Sequence, residues 1–253
     1  MMKIRPPHTE DIPELKALWK EAFFDTDEYI DVFFDTAYSE SRCLIAEENG
    51  VAAVLYWFDA SYLDTRVAYF YAIATKITHR GRGICSRLMD EAHKRLKDLG
   101  YSYAMLVPGS KGLFDFYKKL GYEISTYIDT IECTAQEGKI EIREISGEEY
   151  AALRRKYLPE NSIIQENENI KYLEKQSNLY TGKDFLLSCR VNNGALFGIE
   201  LLGNKEKAPL ILNALSCQNG TFRISGEKTP FSMCFPLENQ TRPPIFYFGL
   251  AFD

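Results

Sequence analysis

The sequence predicts an α/β fold, because helical and strand patterns alternate along most of the chain. An amphipathic helix that begins near Thr9 precedes a hairpin signal at Asn49-Gly50, and a longer strand follows over 65–75. A similar order of helices and hairpin returns after residue 139. At 253 residues the chain is long enough for two domains of ordinary size. We therefore expect two consecutive α/β domains.

Composition restricts the classes of function. The chain is 45% hydrophobic and 13% aromatic, which favours packed cores over disorder. Its net charge of −6 argues against a nucleic-acid partner that is bound through phosphates. The first residues, 1–7, contain no apolar core of a signal peptide, and no stretch is apolar enough to span a membrane. We expect a cytoplasmic protein with neither a nucleic-acid nor a membrane partner.

The cysteines and histidines indicate no metal site. The six cysteines are scattered, contain no CxxC pair, and lie at positions 43, 85, 133, 189, 217 and 234. The histidines at 8, 79 and 93 do not cluster with them. Reduced thiols and no bound metal are the expectation.

The elements of the first half can be placed from periodicity and from turn residues. The predicted helices cover a segment capped by Thr9, then Asp27–Ala37, Gly83 to Leu99, and a stretch around Leu113–Leu120. The predicted strands are Lys3–Arg5, Arg42–Glu47, Val51–Phe58, Thr65–Thr75, Tyr103–Val107 and residues near Tyr122–Cys133.

The most informative segment is Arg80-Gly81-Arg82-Gly83-Ile84-Cys85. A strand that turns through two glycines into a helix leaves several backbone N–H groups unpaired, and the helix dipole adds positive potential there. Such a place suits a phosphate. The segment is neither a P-loop nor a complete GxGxxG fingerprint. By itself it is also compatible with a simple tight turn between a strand and a helix.

A second motif, Phe116-Tyr117-Lys118-Lys119-Leu120-Gly121-Tyr122, follows after the next strand. Together the two motifs resemble those of the GNAT superfamily of acyl-CoA-dependent N-acetyltransferases, over residues 1–135. The family loop [RQ]-x-x-G-x-[GA] matches Arg80 and Gly83, and departs from the pattern at Cys85. The resemblance implies a mixed sheet with helices on both faces.

The resemblance also implies a site for acetyl-CoA as the acyl donor. Backbone amides over Arg80, Gly81, Arg82, Gly83, Ile84 and Cys85 would bind the pyrophosphate, with the side chains of both arginines adding charge. The pantetheine arm would pair with the backbone of Ile73, Ala74 and Thr75. Tyr117 would be the general acid, because a phenol carries its proton at neutral pH.

The general base stays open. The strand over 69–74 contains no carboxylate. Asp25, Asp27 and Glu28 are candidates, as are a water relay and the terminal carboxylate or side chain of Asp253, by resemblance to two-domain Eis-like enzymes. The alternative for the three acidic residues is an ordinary solvated loop. The alternative for the chain end is a final core strand over 245–252.

The second half parallels the first. Lys139–Arg143 corresponds to the first strand. One helix begins after Ser146 or Gly147, and a second lies near Asn169–Gln176. Asn193-Gly194 then repeats the hairpin turn. After Leu202 the parallel stops. The later strands are predicted at Leu210–Leu215, Thr221–Ile224, Phe231–Phe235 and Ile245–Phe252. We expect a GNAT domain over 1–134, a short linker, and a partial GNAT-like domain without a CoA site over 139–253.

The predicted function is that of an N-acetyltransferase. An acetyl group would pass directly from acetyl-CoA to a primary amine of a small molecule or peptide, which the sequence does not identify. The alternative is a non-catalytic acyl-CoA-binding regulatory or dimerisation module, with a homodimer as one outcome.

Overall fold

A computed structural model describes residues 2–237 and 243–252, and it divides the chain into two compact units. The first unit contains the described residues of Met1–Glu123 and Met233–Arg242, and the second those of Ile124–Ser232 and Pro243–Asp253. The units therefore interleave in sequence, whereas we expected a single boundary between residues 134 and 139.

The helices and strands of the described residues are numbered in chain order. The helices are α1 Ile12–Phe23, α2 Asp27–Thr36, α3 Ile84–Asp98, α4 Lys111–Lys119, α5 Gly147–Tyr157, α6 Glu168–Gln176 and α7 Ala208–Ala214. The strands are β1 Lys3–Arg5, β2 Cys43–Glu47, β3 Val51–Tyr62, β4 Thr65–Thr75, β5 Tyr101–Leu106, β6 Glu123–Ile124, β7 Tyr127–Thr134, β8 Arg143–Glu144, β9 Ile164–Gln165, β10 Asn178–Thr181, β11 Phe185–Asn192, β12 Ala195–Gly203, β13 Asn219–Ser225, β14 Thr229–Pro230 and β15 Met233–Pro236.

The first helix begins later than the sequence predicted. Thr9 lies in a 3-10 turn, Thr9–Asp11, so the prediction that it caps the helix is wrong. The α-helix starts at Ile12 with Pro13 in its first turn, where proline has no intrahelical N–H to lose. The second helix is capped by Thr26, whose hydroxyl accepts from the Tyr29 N–H at 3.3 Å.

The first unit is built on a mixed sheet in the order β1-β2-β3-β4-β5-β15. Only the β4–β5 pair of this series is parallel, with α3 as its crossover. On one face α3 packs against a cluster that includes Leu55, Ala68 and Phe70. On the other face Trp19 of α1 contacts Tyr56 and Tyr71, with ring centroids 5.6 Å apart in each pair. Helices cover both faces, as the family resemblance implied.

The second unit has the strand order β8-β10-β11-β12-β13-β7-β14, which repeats the order of the first. The strand predicted at Leu210–Leu215 is wrong, because these residues lie largely in α7, Ala208–Ala214. Short apolar runs do not distinguish a strand from a buried helix, and Pro209 opens this one as a helix. With α7 as crossover, β12 and β13 pair in parallel, as β4 and β5 do. The resemblance between the two halves thus continues beyond Leu202.

Each sheet is completed by a strand from the other half of the sequence. β15 follows the second copy in sequence and pairs antiparallel with β5, Met233 opposite Leu106. β7 precedes the second copy in sequence and pairs antiparallel with β13, Thr134 opposite Asn219. The units interleave in sequence for this reason. The backbone groups on the edge of β5 that faces away from β4 form their hydrogen bonds with β15.

The apolar segment before the chain end is buried but is not a strand, so the strand predicted at Ile245–Phe252 is wrong. Among its described residues only Tyr247 makes a bridge, with Ser162. The Gln165 side chain accepts from the Leu250 N–H at 3.1 Å and donates to the Leu250 carbonyl at 2.7 Å. These bonds replace the ladder that a strand would provide. Asp253, a candidate base, lies outside the described residues.

A buried ion pair lies in the core of the second unit. Arg154 of α5 donates through Nε to Glu200 of β12 at 2.7 Å, and the two side chains are 2% and 0% exposed. The Tyr150 hydroxyl donates to the same carboxylate at 2.7 Å. Removal of one partner from such a pair leaves an uncompensated charge in the interior.

We expect Arg154→Met to lower the free energy of unfolding by about 3–5 kcal/mol, since Glu200 would remain buried without its partner. Urea unfolding at neutral pH measures the loss. The control is Arg155→Met, which breaks the exposed pair with Glu166 and should cost less than about 1 kcal/mol. Equal losses in the two variants would contradict the role of the buried pair.

Candidate active site

The β4–β5 pair opens at one end of the first sheet. Its parallel register runs from Arg66 opposite Tyr101 to Phe70 opposite Leu106, where β5 ends. β4 continues to Thr75 beside β3, with Ala53 opposite Thr75. Within the part of the chain that the structure describes, the outer edge of residues 73–75 therefore pairs with no strand. A free strand edge next to a strand end forms a cleft that an extended chain can enter.

A β-bulge in β4 sets the direction of the side chains along this edge. Val54 faces Ala74 and Tyr56 faces Tyr71, so that two residues of β4 lie opposite Leu55. Ala72 in the bulge has a φ of 45°, which is unusual for a residue with a side chain. Tyr71 consequently points to the α1–α2 face, whereas Ile73 packs on the α3 face. Without the bulge both residues would share one face.

The backbone of β4 presents hydrogen-bonding groups to the cleft. The Lys76 N–H donates to the Ala52 carbonyl at 2.9 Å, toward β3. Because groups alternate along an antiparallel ladder, the N–H and C=O of Ile73 and Thr75 face the open edge, and those of Ala74 face β3. The Thr75 carbonyl accepts from Arg80 Nε at 3.0 Å, which confirms the direction. Ile73 thus offers an N–H and a C=O to a ligand.

The glycine loop follows directly and opens α3. Gly81 and Gly83 have φ values of 75° and 70°, a backbone conformation that favours glycine. A Cβ placed on either glycine would meet nothing within 4 Å, so the space in front of the loop is open. The first backbone donor bonded inside the helix is the Arg87 N–H, to the Gly83 carbonyl at 3.2 Å. The N–H groups of Ile84 and Cys85 therefore have no partner within the helix.

The two arginines of the loop also brace it. Arg80 uses its Nε–H on the Thr75 carbonyl, and Arg82 forms an ion pair of 2.6 Å with Glu48. The Ile77 N–H, at the start of the loop, donates to Glu21 of α1 at 2.6 Å. Sequence patterns did not indicate Glu21 or Glu48, because each acts through a contact over a long sequence separation. The open space, the unpaired N–H groups and the helix dipole fit a pyrophosphate.

The comparison with known families agrees with this geometry. Residues 3–125 match the family described as acetyltransferase (GNAT) domain. The chain contains a GNAT acetyltransferase domain. No curated protein matches the chain in sequence.

Solved structures show the same two-domain fold around the GNAT domain. A GCN5-related N-acetyltransferase from Kribbella flavida is 14% identical with a TM-score of 0.70, over 94% of this chain and 72% of that one. One from Anabaena variabilis is 15% identical with a TM-score of 0.71, over 94% and 73%. Eis1 from Mycobacterium abscessus is 16% identical with a TM-score of 0.64, over 88% and 65%. The predicted fold, a GNAT domain followed by a second GNAT-like domain, is confirmed.

Tyr117 of the GNAT domain lies close to the loop. It belongs to the same α3-side cluster as Ile73 and Cys85. Burial raises the pKa of its phenol, and the nearby Cys85 thiol adds to the rise, so that the hydroxyl keeps its proton at neutral pH. Burial also raises the pKa of the Cys85 thiol to about 11. Among the described residues the Tyr117 hydroxyl has no hydrogen-bond partner.

A buried histidine lies behind Tyr117. His93 of α3 is 9% exposed, and its Nε2 lies 2.7 Å from the Tyr122 hydroxyl. Burial lowers the pKa of the His93 imidazole to about 4, so the ring is neutral at pH 7. The position of His93, four residues after buried Met89, fits the apolar stripe of the helix and could have been recognised from the sequence.

Two of the three predicted acidic candidates for the base have partners. Asp25 accepts from Trp19 Nε1 at 2.8 Å, and Asp27 accepts from Lys20 Nζ at 2.7 Å. Glu28 lies in the first turn of α2 and is exposed. The acidic segment therefore stabilises the connection between the first two helices.

Within residues 2–237 and 243–252, no cluster of three metal-ligating side chains occurs. Over the same residues no helix has both the length and the apolar character needed to cross a membrane.

We expect Gly83→Trp to lower acetyl-CoA affinity by roughly a hundredfold or more, because the indole would fill the open space before the α3 N-terminus. Calorimetric titration with acetyl-CoA measures the change. Gly194→Trp is the matched control, because Gly194 has a φ of 75° and open space but lies in the β11–β12 hairpin. Unchanged affinity in Gly83→Trp would exclude the loop as the donor site.

The lowered pKa of His93 predicts a dependence of stability on pH. Its pKa falls from 6.5 to about 4 on folding, so the unfolded chain binds this proton first as the pH drops. The stability that neutral His93 contributes is complete above pH 6.5 and is lost between about pH 6.5 and 4, on the order of 3 kcal/mol. Urea unfolding from pH 7.5 to 4.5 measures it. His93→Gln, which does not titrate, should show a flatter profile; parallel profiles would contradict the assignment.

Proposed function

We propose that this chain transfers an acetyl group from acetyl-CoA to a primary amine of a small molecule or peptide. The observation that carries the proposal is the combination of the open glycine loop at α3 with the unpaired edge of β4. Tyr117 lies in the cluster that joins these two features. The match of residues 3–125 to the GNAT family supports the same chemistry.

Donor binding follows from the groups that face the cleft. The N–H groups of Gly83, Ile84 and Cys85 would hold the pyrophosphate at the positive end of the helix dipole. Arg80 would add a charge-assisted contact, because its bond to Thr75 uses one of five N–H donors. Ile73 and Thr75 would pair with the amides of the pantetheine arm as an added strand.

Bound acetyl-CoA supplies an activated thioester carbonyl. The Ile73 N–H would donate to that carbonyl oxygen as negative charge develops on it. Attack by the neutral amine forms the new C–N bond, and breakage of the C–S bond leaves a thiolate. Tyr117 would give its phenolic proton to the thiolate and regain one from solvent, and solvent would accept the proton lost by the attacking nitrogen.

The environment of Tyr117 suits a proton donor. Burial keeps the phenol protonated at neutral pH, and a thiolate that departs in the same desolvated cleft attracts a proton more strongly than a thiolate in water does. The hydroxyl has no partner among the described residues, so it is free to turn toward a ligand. The reaction is a direct transfer, because no step requires the acetyl group to bond to the protein.

We expect Tyr117→Phe to reduce kcat by about 10²–10⁴-fold while the Kd of acetyl-CoA changes less than about twofold. The reason is that the proton donor is lost and the binding groups stay. Release of CoA thiol in a screen of primary amines measures turnover, and calorimetry measures binding.

Tyr62→Phe provides the control, because this buried tyrosine lies at the β3–β4 turn, at the opposite end of β4 from Thr75. It should keep its full turnover. Tight acetyl-CoA binding without turnover on any amine would instead identify a non-catalytic acyl-CoA-binding module. Full activity of Tyr117→Phe would exclude the phenol as the acid.

A further inference from the structure

His93 is the buried titratable group that the proposed reaction does not use. Its ring lies between two phenylalanines, with Phe235 at 4.2 Å between centroids and an interplanar angle of 6°, and Phe70 at 5.8 Å and 9°. Its Nε2 lies 2.7 Å from the Tyr122 hydroxyl. A neutral imidazole that is stacked and hydrogen-bonded in this way has one orientation.

Tyr122 connects this histidine to Tyr117. The Tyr122 N–H donates to the Tyr117 carbonyl at 3.1 Å and thereby ends α4. The two tyrosine rings contact each other edge to face, with centroids 5.9 Å apart. Tyr122 therefore holds the backbone of Tyr117 through this hydrogen bond, and its ring packs against one side of the Tyr117 ring.

Phe235 contacts both members of the His93–Tyr122 pair. Its ring centroid lies 4.2 Å from that of His93 and 5.4 Å from that of Tyr122. Gly121, with a φ of 89°, leaves the room for this contact, because a Cβ there would lie 3.0 Å from the Phe235 ring. Phe235 comes from β15, more than a hundred residues after Tyr122 in the sequence.

We propose that Phe235 is a positioning residue for Tyr117, acting through the His93–Tyr122 pair. The inference rests on the proposed function of Tyr117 and deepens it. It means that the catalytic geometry of the GNAT domain depends on the strand that the chain contributes after its second GNAT-like copy. Phe235 reaches no reacting atom, so its effect falls on the rate and not on donor binding.

The first test separates kcat from KM in the full chain. Phe235→Leu should lower kcat by roughly tenfold to a hundredfold and leave the KM for acetyl-CoA unchanged, because misplacement of the acid slows proton transfer alone. Leu96→Ala is the matched control. Leu96 is 0% exposed on the same helix as His93, and both substitutions remove three side-chain carbons. Equal losses of kcat in the two variants would overturn the proposal.

A double variant tests whether Phe235 acts through Tyr117. In the Tyr117→Phe background, Phe235→Leu should cause no further loss of kcat, because the group that it positions is already absent. Multiplicative losses would show an independent effect and would also overturn the proposal.

A spectroscopic readout needs no acceptor and no turnover. In protein labelled with ¹³C at the tyrosine rings, the Tyr117 signal is the one that disappears in Tyr117→Phe. It should shift in Phe235→Leu and stay in place in Leu96→Ala. A Tyr117 signal that is unmoved in Phe235→Leu overturns the positioning role even if the enzyme is active. If the Tyr117 signal shifts in Phe235→Leu but the wild-type protein acetylates no amine, the positioning contact is supported and only the proposed function is rejected.

Discussion

The candidate site depends on one structural constraint, the end of backbone pairing between β4 and β5 while β4 continues. A parallel pair that stayed together to its end would satisfy every backbone group on that edge and would leave no place for an extended ligand. Here pairing ends at Phe70 opposite Leu106, and the bulge at Ala72 turns the following residues. The same bulge sends Tyr71 and Ile73 to opposite faces. The end of the pairing and the bulge together produce the cleft, the outward-facing Ile73 N–H and the direction of the loop.

The glycine loop gives the end of this cleft the geometry that suits an anion. The left-handed backbone conformation of Gly81 and Gly83 allows a tight connection between β4 and α3, in which the first N–H groups of the helix have no intrahelical acceptor. Charged side chains contribute mainly by holding the loop in place, since Arg82 is paired with Glu48. A site made of backbone is rigid, and rigidity reduces the entropy that ligand binding must overcome.

The interleaving of the two units in sequence places a late strand beside the candidate site. β15 covers the outer edge of β5, and its Phe235 lies under the His93–Tyr122 pair behind Tyr117. The second unit has a buried ion pair, Arg154–Glu200, and a crossover helix of seven residues in place of α3. The two sheets have the same strand order, and the first of them contains the glycine loop.

The sequence by itself determined the local features. Periodicity and turn residues located the first two helices, both hairpins and α3, and the two motifs located the loop and Tyr117, because such features depend on neighbours within a few residues. Only the tertiary structure decided where the strands were exchanged, that Leu210–Leu215 lies in a helix, and that Phe235 lies behind Tyr117. These depend on contacts between residues that are distant in sequence, where the burial of an apolar run does not reveal its partner.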